Sequence, residues 1–228
     1  GEDKYFGVAT LMATMPGLPM LGPGQLEGFA AKYGMEFQRA RWHETPNRWL
    51  IDRHERQLCP LLHRRRLFAE VDDFLLYDFE TEGTVDENVL AYSNRWRGER
   101  SLVVFNNRYG DTRGWLRRST AVAVGRGDDR RLEQRSLAEG LGLACGADDF
   151  VVMRDAANGL ELLRPSRELA EGGLWLELGA YRLLVLLDIT ELADGDGRLR
   201  RLAERLGGRG VPSLADALRE LELEPVLA

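Results

Sequence analysis

Leu174-Trp175-Leu176-Glu177-Leu178-Gly179-Ala180-Tyr181-Arg182-Leu183-Leu184-Val185-Leu186-Leu187-Asp188 is the stretch from which the fold is read. Strict alternation over Leu174–Leu178 is the period of a strand with one buried face, and the apolar run Arg182–Asp188 reads as a second strand. Working outward, the same short-run pattern recurs at Phe74–Phe79, Val89–Ser93, Ser101–Phe105, Ala121–Val124, Phe150–Met153 and Gly159–Leu163. Asn158-Gly159 marks a hairpin, because both residues tolerate positive φ. Eight or nine short strands, interrupted by one helix near Arg135–Leu141, predict a mainly β, antiparallel sandwich over 71–192.

The flanks read differently. Residues 1–70 are helical and loop-rich. Phe6–Met15 is apolar nearly all round, so that helix has to be buried on most faces. Pro16-Gly17 ends it, and Leu18–Leu21 is a short extended piece entering the turn Gly22-Pro23-Gly24. Thr45-Pro46 predicts the next helix start, with Thr45 as cap. That helix carries Trp49, Leu50, Arg53, Leu58, Leu61 and Leu62; Pro60 should kink or divide it, and Arg64–Arg66 should close it as a solvated end facing Glu70–Asp73. Residues 193–228 form a helical tail: Leu199, Leu202 and Leu206, then Gly207-Gly208, then a second helix from Ser213 to Leu221.

Composition narrows the classes. With 44% hydrophobic residues among 228, the chain has material for a sizeable core and is not disordered. A net charge of −6 argues against nucleic acid as the main partner. No apolar run reaches the roughly 18 residues that span a bilayer, so no membrane partner is expected. Two cysteines, Cys59 and Cys145, fit a reduced, cytoplasmic setting rather than a disulfide scaffold. Cys59 and His63 share a helical spacing, but a transition-metal site needs three or four such ligands, so no metal and no cofactor is expected. No Gly-x-Ser-x-Gly elbow or phosphate loop is present.

The segment Lys4–Gly28 carries a more specific signal. A buried helix, then Pro16-Gly17-Leu18-Pro19, a short strand and the turn Gly22-Pro23-Gly24-Gln25-Leu26-Glu27-Gly28 resemble the last part of the catalytic barrel in the α-amylase family of glycoside hydrolases. Gly17, Pro19, Gly24 and Gln25 match the family's spacing, while Gly22-Pro23 stands where the family usually has one or two tyrosines. Lys32-Tyr33-Gly34-Met35-Glu36, followed by Arg39 to Glu44, looks like a subgroup of bacterial members. Leu178-Gly179-Ala180-Tyr181 is similar to the end of the β-sandwich domain that follows such barrels.

The resemblance implies the C-terminal part of such an enzyme, with 1–70 as a remnant of the (β/α)8 barrel and an α-glucan-type carbohydrate as the parent's partner. It also implies that the chain alone has no catalytic residues. The family's acid, nucleophile and third aspartate lie on earlier barrel strands, and glycoside hydrolysis needs a carboxyl pair. Arg154-Asp155-Ala156-Ala157 imitates the family's nucleophile motif, but a turn aspartate before Asn158-Gly159 explains it. The resemblance offers Gln25, Glu27 and Trp42 as carbohydrate contacts; alternatively Gln25 and Glu27 satisfy backbone groups of their own loop. The apolar helix, lacking barrel partners, would fold onto the sandwich or self-associate. The rival from another class is a self-standing carbohydrate-binding or protein-interaction module. It calls for exposed aromatics among Trp42, Trp49, Trp96, Trp115 and Trp175, of which Trp49 and Trp175 read as core.

Overall fold

The computed structural model describes residues 2–31, 38, 39, 42–125 and 127–227. They form two compact units, 1–70 and 71–228.

The first unit is helical. Helix α1 (Glu2–Thr14) buries Phe6, Ala9, Thr10 and Ala13. It packs on a second helical run made of α2 (Arg48–Arg53), a π-type turn (His54–Leu58), α3 (Cys59–His63) and α4 (Arg65–Phe68). The cap expected at Thr45 is supplied two residues later by Asn47, whose side chain accepts from the Leu50 N–H at 3.2 Å. The run is divided next to Pro60, as expected: the regular helix gives way to the π turn and a new helix, α3, begins at Cys59. Pro60 stands in the first turn of α3, and the wider π turn lies immediately ahead of it, where a missing i→i−4 bond is tolerated. Arg65 is not a solvated end. Helix α1 ends without a basic residue, and Arg65 donates instead to the carbonyls of Ala13 (2.9 Å), Met15 (3.1 Å) and Gly17, supplying donors to a bare helix C-terminus. Asp73, expected opposite that run, pairs with Arg95. Leu18–Leu21 forms no ladder, and Leu18 and Met20 are exposed.

The second unit is built on β1 (Leu75–Thr81), β2 (Thr84–Val85), β3 (Val89–Trp96), β4 (Glu99–Asn106), β5 (Thr112–Ser119), β6 (Val122–Val124), β7 (Arg131–Glu133), β8 (Asp149–Asp155), β9 (Glu161–Pro165), β10 (Leu174–Leu178) and β11 (Leu183–Ala193). Instead of two stacked sheets, the main strands form one antiparallel path, β10-β5-β1-β3-β4-β11-β8-β9, with β2 attached to β1; β6 and β7 pair separately. The sheet curls. Leu174 and Leu178 at one end and Val151 and Met153 near the other belong to a single apolar cluster with Phe79, Leu102, Val104, Leu116 and Leu186.

Two irregularities allow the bend. Register shifts between Tyr77 and Phe79 in β1 and between Leu187 and Thr190 in β11, where Asp188 adopts φ +53°. Such bulges bend a strand and increase its twist. The second also explains why β11 outlasts the expected end at Asp188.

Helix α5 (Leu137–Leu141) carries a reciprocal capping box between Ser136 and Glu139 and adds Leu137 and Leu141 to the core. Helix α6 (Ser166–Glu171), which the apolar pattern does not predict, contributes Leu169. At the far edge, α7 (Arg198–Leu206) and α8 (Leu214–Leu227) close a second cluster with Phe150 and Leu163. Asp194 accepts from the Leu199 and Arg200 N–H groups at 3.0 and 3.1 Å, capping α7. No helix among the described residues is long and apolar enough to cross a membrane.

The approach of β5 to β1 sets a size limit at Gly114. A Cβ there would meet the Glu80 carbonyl oxygen and lie 2.9 Å from the Phe79 ring. Gly114→Ala should lower stability by about 1–3 kcal/mol, the ordinary cost of overpacking. Urea unfolding with an unchanged slope checks this, and an unchanged midpoint would refute it.

Candidate functional site

The Gly22–Gly28 turn is braced from within. Gly24 sits at φ +75° and its carbonyl accepts from Phe29 at 2.8 Å. Gln25 Oε1 accepts from the Gly22 N–H at 3.0 Å, and Gln25 Nε2 donates to the Tyr5 hydroxyl at 3.2 Å. Tyr5 in turn lies 2.8 Å from Nε2 of the buried His54, whose Nδ1 is 2.8 Å from the Leu50 carbonyl. A carbonyl only accepts, so Nδ1 carries the proton and the tyrosine O–H donates to Nε2. The chain Gln25→Tyr5→His54→Leu50 therefore runs in one direction.

Glu27 is half-buried, and its carbonyl accepts from Asn47 at 2.9 Å, tying the turn to the cap of α2. Trp42 is 52% exposed and hydrogen-bonds Glu44. The Glu44 carboxylate accepts from Ala30 and Ala31 at 2.9 Å each, bonds led by that to Ala31 that hold it below the usual carboxylate range. Gln25, Glu27 and Trp42 thus occupy one loop system, each with its own local tie.

A different cluster, on the second unit, is visible only in the fold. Arg113, Trp115 and Arg117 of β5 and Trp175 and Glu177 of β10 point away from the core, as do even-numbered residues of β1. In register across the sheet stand Val85, Glu80, Trp115 and Trp175, one each from β2, β1, β5 and β10. The two indoles meet edge to face, centroids 5.2 Å apart. The Arg117 guanidinium lies 4.8 Å above the Trp115 ring and pairs with Glu80 at 2.9 Å. Arg113 and Glu177 are cross-strand partners in the next row. Glu80, Arg113, Trp115, Arg117 and Trp175, with the Thr81–Val85 hairpin, line a cleft of about 560 Å³.

The expectation of buried tryptophans fails at two positions. Trp175 is 41% and Trp49 is 45% exposed. In β10 the leucines occupy the inward positions, so the intervening Trp175 has to face out.

The two carboxylates at this cleft, Glu80 and Glu82, are not enclosed in dry surroundings. Glu80 is ion-paired, and the Glu82 side chain is 95% exposed. A larger cleft of about 840 Å³ lies between β10 and β8–β9, and its arginines are engaged. Arg164 donates to the Leu163 and Gly208 carbonyls, Arg182 to Asp155, Arg200 to Asp148, and Arg209 to the Leu206 carbonyl.

Asp155 is a turn residue, accepting from Ala157 at 3.0 Å; burial raises its pKa, while its backbone donors and Arg182 act the other way. The Cys145 thiol is pushed up by burial and by Glu191 and Asp149, the opposite of an activated nucleophile. Among the described residues no three His, Cys, Asp or Glu side chains gather as a metal site.

Comparison with known proteins places the architecture. No protein-family model matches the chain, and no curated protein sequence does. Solved structures do. An α-amylase from Geobacillus thermoleovorans, in complex with acarbose, superposes with a TM-score of 0.53 at 13% identity, covering 83% of this chain and 34% of that one. A noncanonic maltogenic α-amylase, AmyB from Thermotoga neapolitana, gives 0.51 at 12% identity, covering 83% and 37%. The likeness is one of fold, and this chain spans about a third of the length of those structures.

Two outcomes follow from the side-chain geometry. Tyr5→Phe strands an acceptor on buried His54 and a donor on Gln25, and should cost about 1–3 kcal/mol in thermal or urea unfolding; a neutral result would break the relay. For Asp155, a folded pKa above the unfolded one means its favourable contribution is complete below the ordinary carboxylate pKa and is lost as pH rises through the folded value. Asp155→Asn, which keeps an acceptor and removes the buried charge, should therefore gain on wild type from pH 4 to pH 7 in melting temperature. The reverse trend would refute it.

Proposed function

We propose that this chain is the C-terminal part of an amylase-family glycoside hydrolase acting on α-glucan, inactive by itself because the acid and nucleophile carboxylates lie upstream. The observation that carries the reading is the curled antiparallel sheet, with a fold like that of about one third of two α-amylases; the sequence resemblance of Lys4–Gly28 to the end of the family's barrel supports it. On this reading 1–70 is the end of the barrel, 71–192 the β domain and 193–228 a helical appendage. In the intact cleft, Glu27 and Trp42 contact sugar directly. Gln25, with one amide N–H and one lone pair left after its internal bonds, contributes a single further hydrogen bond.

Exposed Val8, Met15, Leu18 and Met20 support a surface that the rest of the barrel covers, or that a second copy covers when the barrel is missing. Nucleic acid is not a partner, and the free thiols Cys59 and Cys145 fit the cytoplasm. A stand-alone carbohydrate-binding module is the second reading, favoured by exposed Trp175.

The purified chain should release no reducing sugar from starch, pullulan, trehalose or sucrose; turnover that survives repurification would overturn the assignment. Sequencing the DNA upstream of the Gly1 codon separates the two readings. An in-frame barrel carrying the missing acids is expected, and a start codon directly before Gly1 would leave the module.

A further inference from the structure

We propose that the outer face of β1, β5 and β10 binds a neutral oligosaccharide, with Trp175 and Trp115 as the stacking surface and Glu80, Arg113 and Arg117 as partners for its hydroxyls. This site lies on the β domain, apart from the turn that carries Gln25, and does not depend on the catalytic assignment. Only the choice of an α-linked probe rests on the function proposed above.

Register carries the case. Glu80, Trp115 and Trp175 are direct neighbours on three adjacent strands, so their side chains rise from one surface as a continuous row. Trp175 remains 41% exposed on a strand whose leucines are inward, and Trp115 buttresses it edge-on. An indole held rigidly by a second indole is a flat apolar platform with little entropy left to lose. The cleft of about 560 Å³ lies within the usual range for small-molecule sites, roughly 300–1,000 Å³.

The rim chemistry selects the ligand class. A pyranose presents an apolar C–H face and a ring of hydroxyls, each able to donate and accept. Glu80 and Glu82 offer only acceptors, while Arg113 and Arg117 offer only donors. A proline-rich peptide also stacks on tryptophan, yet its carbonyls only accept and could use just the arginine side of each pair, whereas a sugar hydroxyl can bond both members of Arg117–Glu80 and Arg113–Glu82. A cationic ligand finds one face of Trp115 already taken by Arg117.

The test uses the whole chain and the indole N–H signals of its five tryptophans, assigned by single Trp→Phe substitutions. Maltoheptaose at millimolar concentration should shift Trp115 and Trp175 saturably and leave Trp42, Trp49 and Trp96 in place. Trp175→Ala should weaken binding by about tenfold or more, equivalent to roughly 1.4 kcal/mol, with an unchanged melting temperature. Trp175→Tyr should restore part of the affinity, and it keeps the test valid if the alanine variant fails to fold. Binding of cellohexaose but not maltoheptaose at the same two indoles would support the site and overturn the α-glucan reading. Silence with both sugars, shifts confined to Trp42, or binding indifferent to Trp175→Ala and Trp175→Tyr would overturn the site. So would dilution-dependent shifts at Trp115 and Trp175 without sugar, which would assign the face to a second copy.

Discussion

One sheet has to bury both of its ends in a single core, and most features of the β domain answer to that constraint. A flat path of eight strands would leave Leu174 at one end and Met153 near the other with no common interior. The bulges at Tyr77–Phe79 and Leu187–Thr190 supply the bend, and Asp188 takes a left-handed conformation to make the second one possible. Gly114 lets β5 lie against β1 at a separation no side chain would permit. Helices α5 and α6 then add Leu137, Leu141 and Leu169 to the same cluster.

Curling also determines what faces outward. Once Leu116, Leu174 and Leu178 are turned inward, the alternate positions on β5 and β10 have no core left to enter. Trp115 and Trp175 meet there, on the convex side, instead of at the centre. The arginine-rich seam lies on the other side of β10. Its guanidinium groups, like that of Arg117 on the tryptophan face, are bound to carbonyls and carboxylates of the domain itself, and what sets the tryptophan face apart is its pair of indoles.

The helical unit depends on a smaller set of polar ties. Its helix ends and loops are satisfied by side chains: Arg65 for the C-terminus of α1 and Glu44 for the backbone at Ala30 and Ala31 reach across from elsewhere, while Asn47 caps α2 locally. The Tyr5–His54 contact, part-buried and joined to Gln25, links the turn to both helical runs. A turn rich in glycine has few apolar atoms to pack, and hydrogen bonds are the means left to hold it.

Local pattern alone identified most of the strands, the hairpin at Asn158-Gly159, the turn role of Asp155 and the helical flanks, because alternation and turn chemistry are properties of neighbouring residues. β5 escaped that pattern. Thr112–Ser119 carries three arginines, two of them successive, which breaks the alternation, and has only Leu116 as a large inward side chain, too weak a signal for a strand that lies between two others. The role of Arg65 escaped for a related reason, since it depends on what another segment leaves unsatisfied, whereas the cap at Asn47 is local and was displaced only by the competing Thr45-Pro46 signal. Strand order, the single curled sheet and the row Glu80–Trp115–Trp175 were decided only by tertiary structure. Pairing joins residues remote in sequence, and an alternating pattern states which face a side chain takes without stating who its neighbour across the ladder will be.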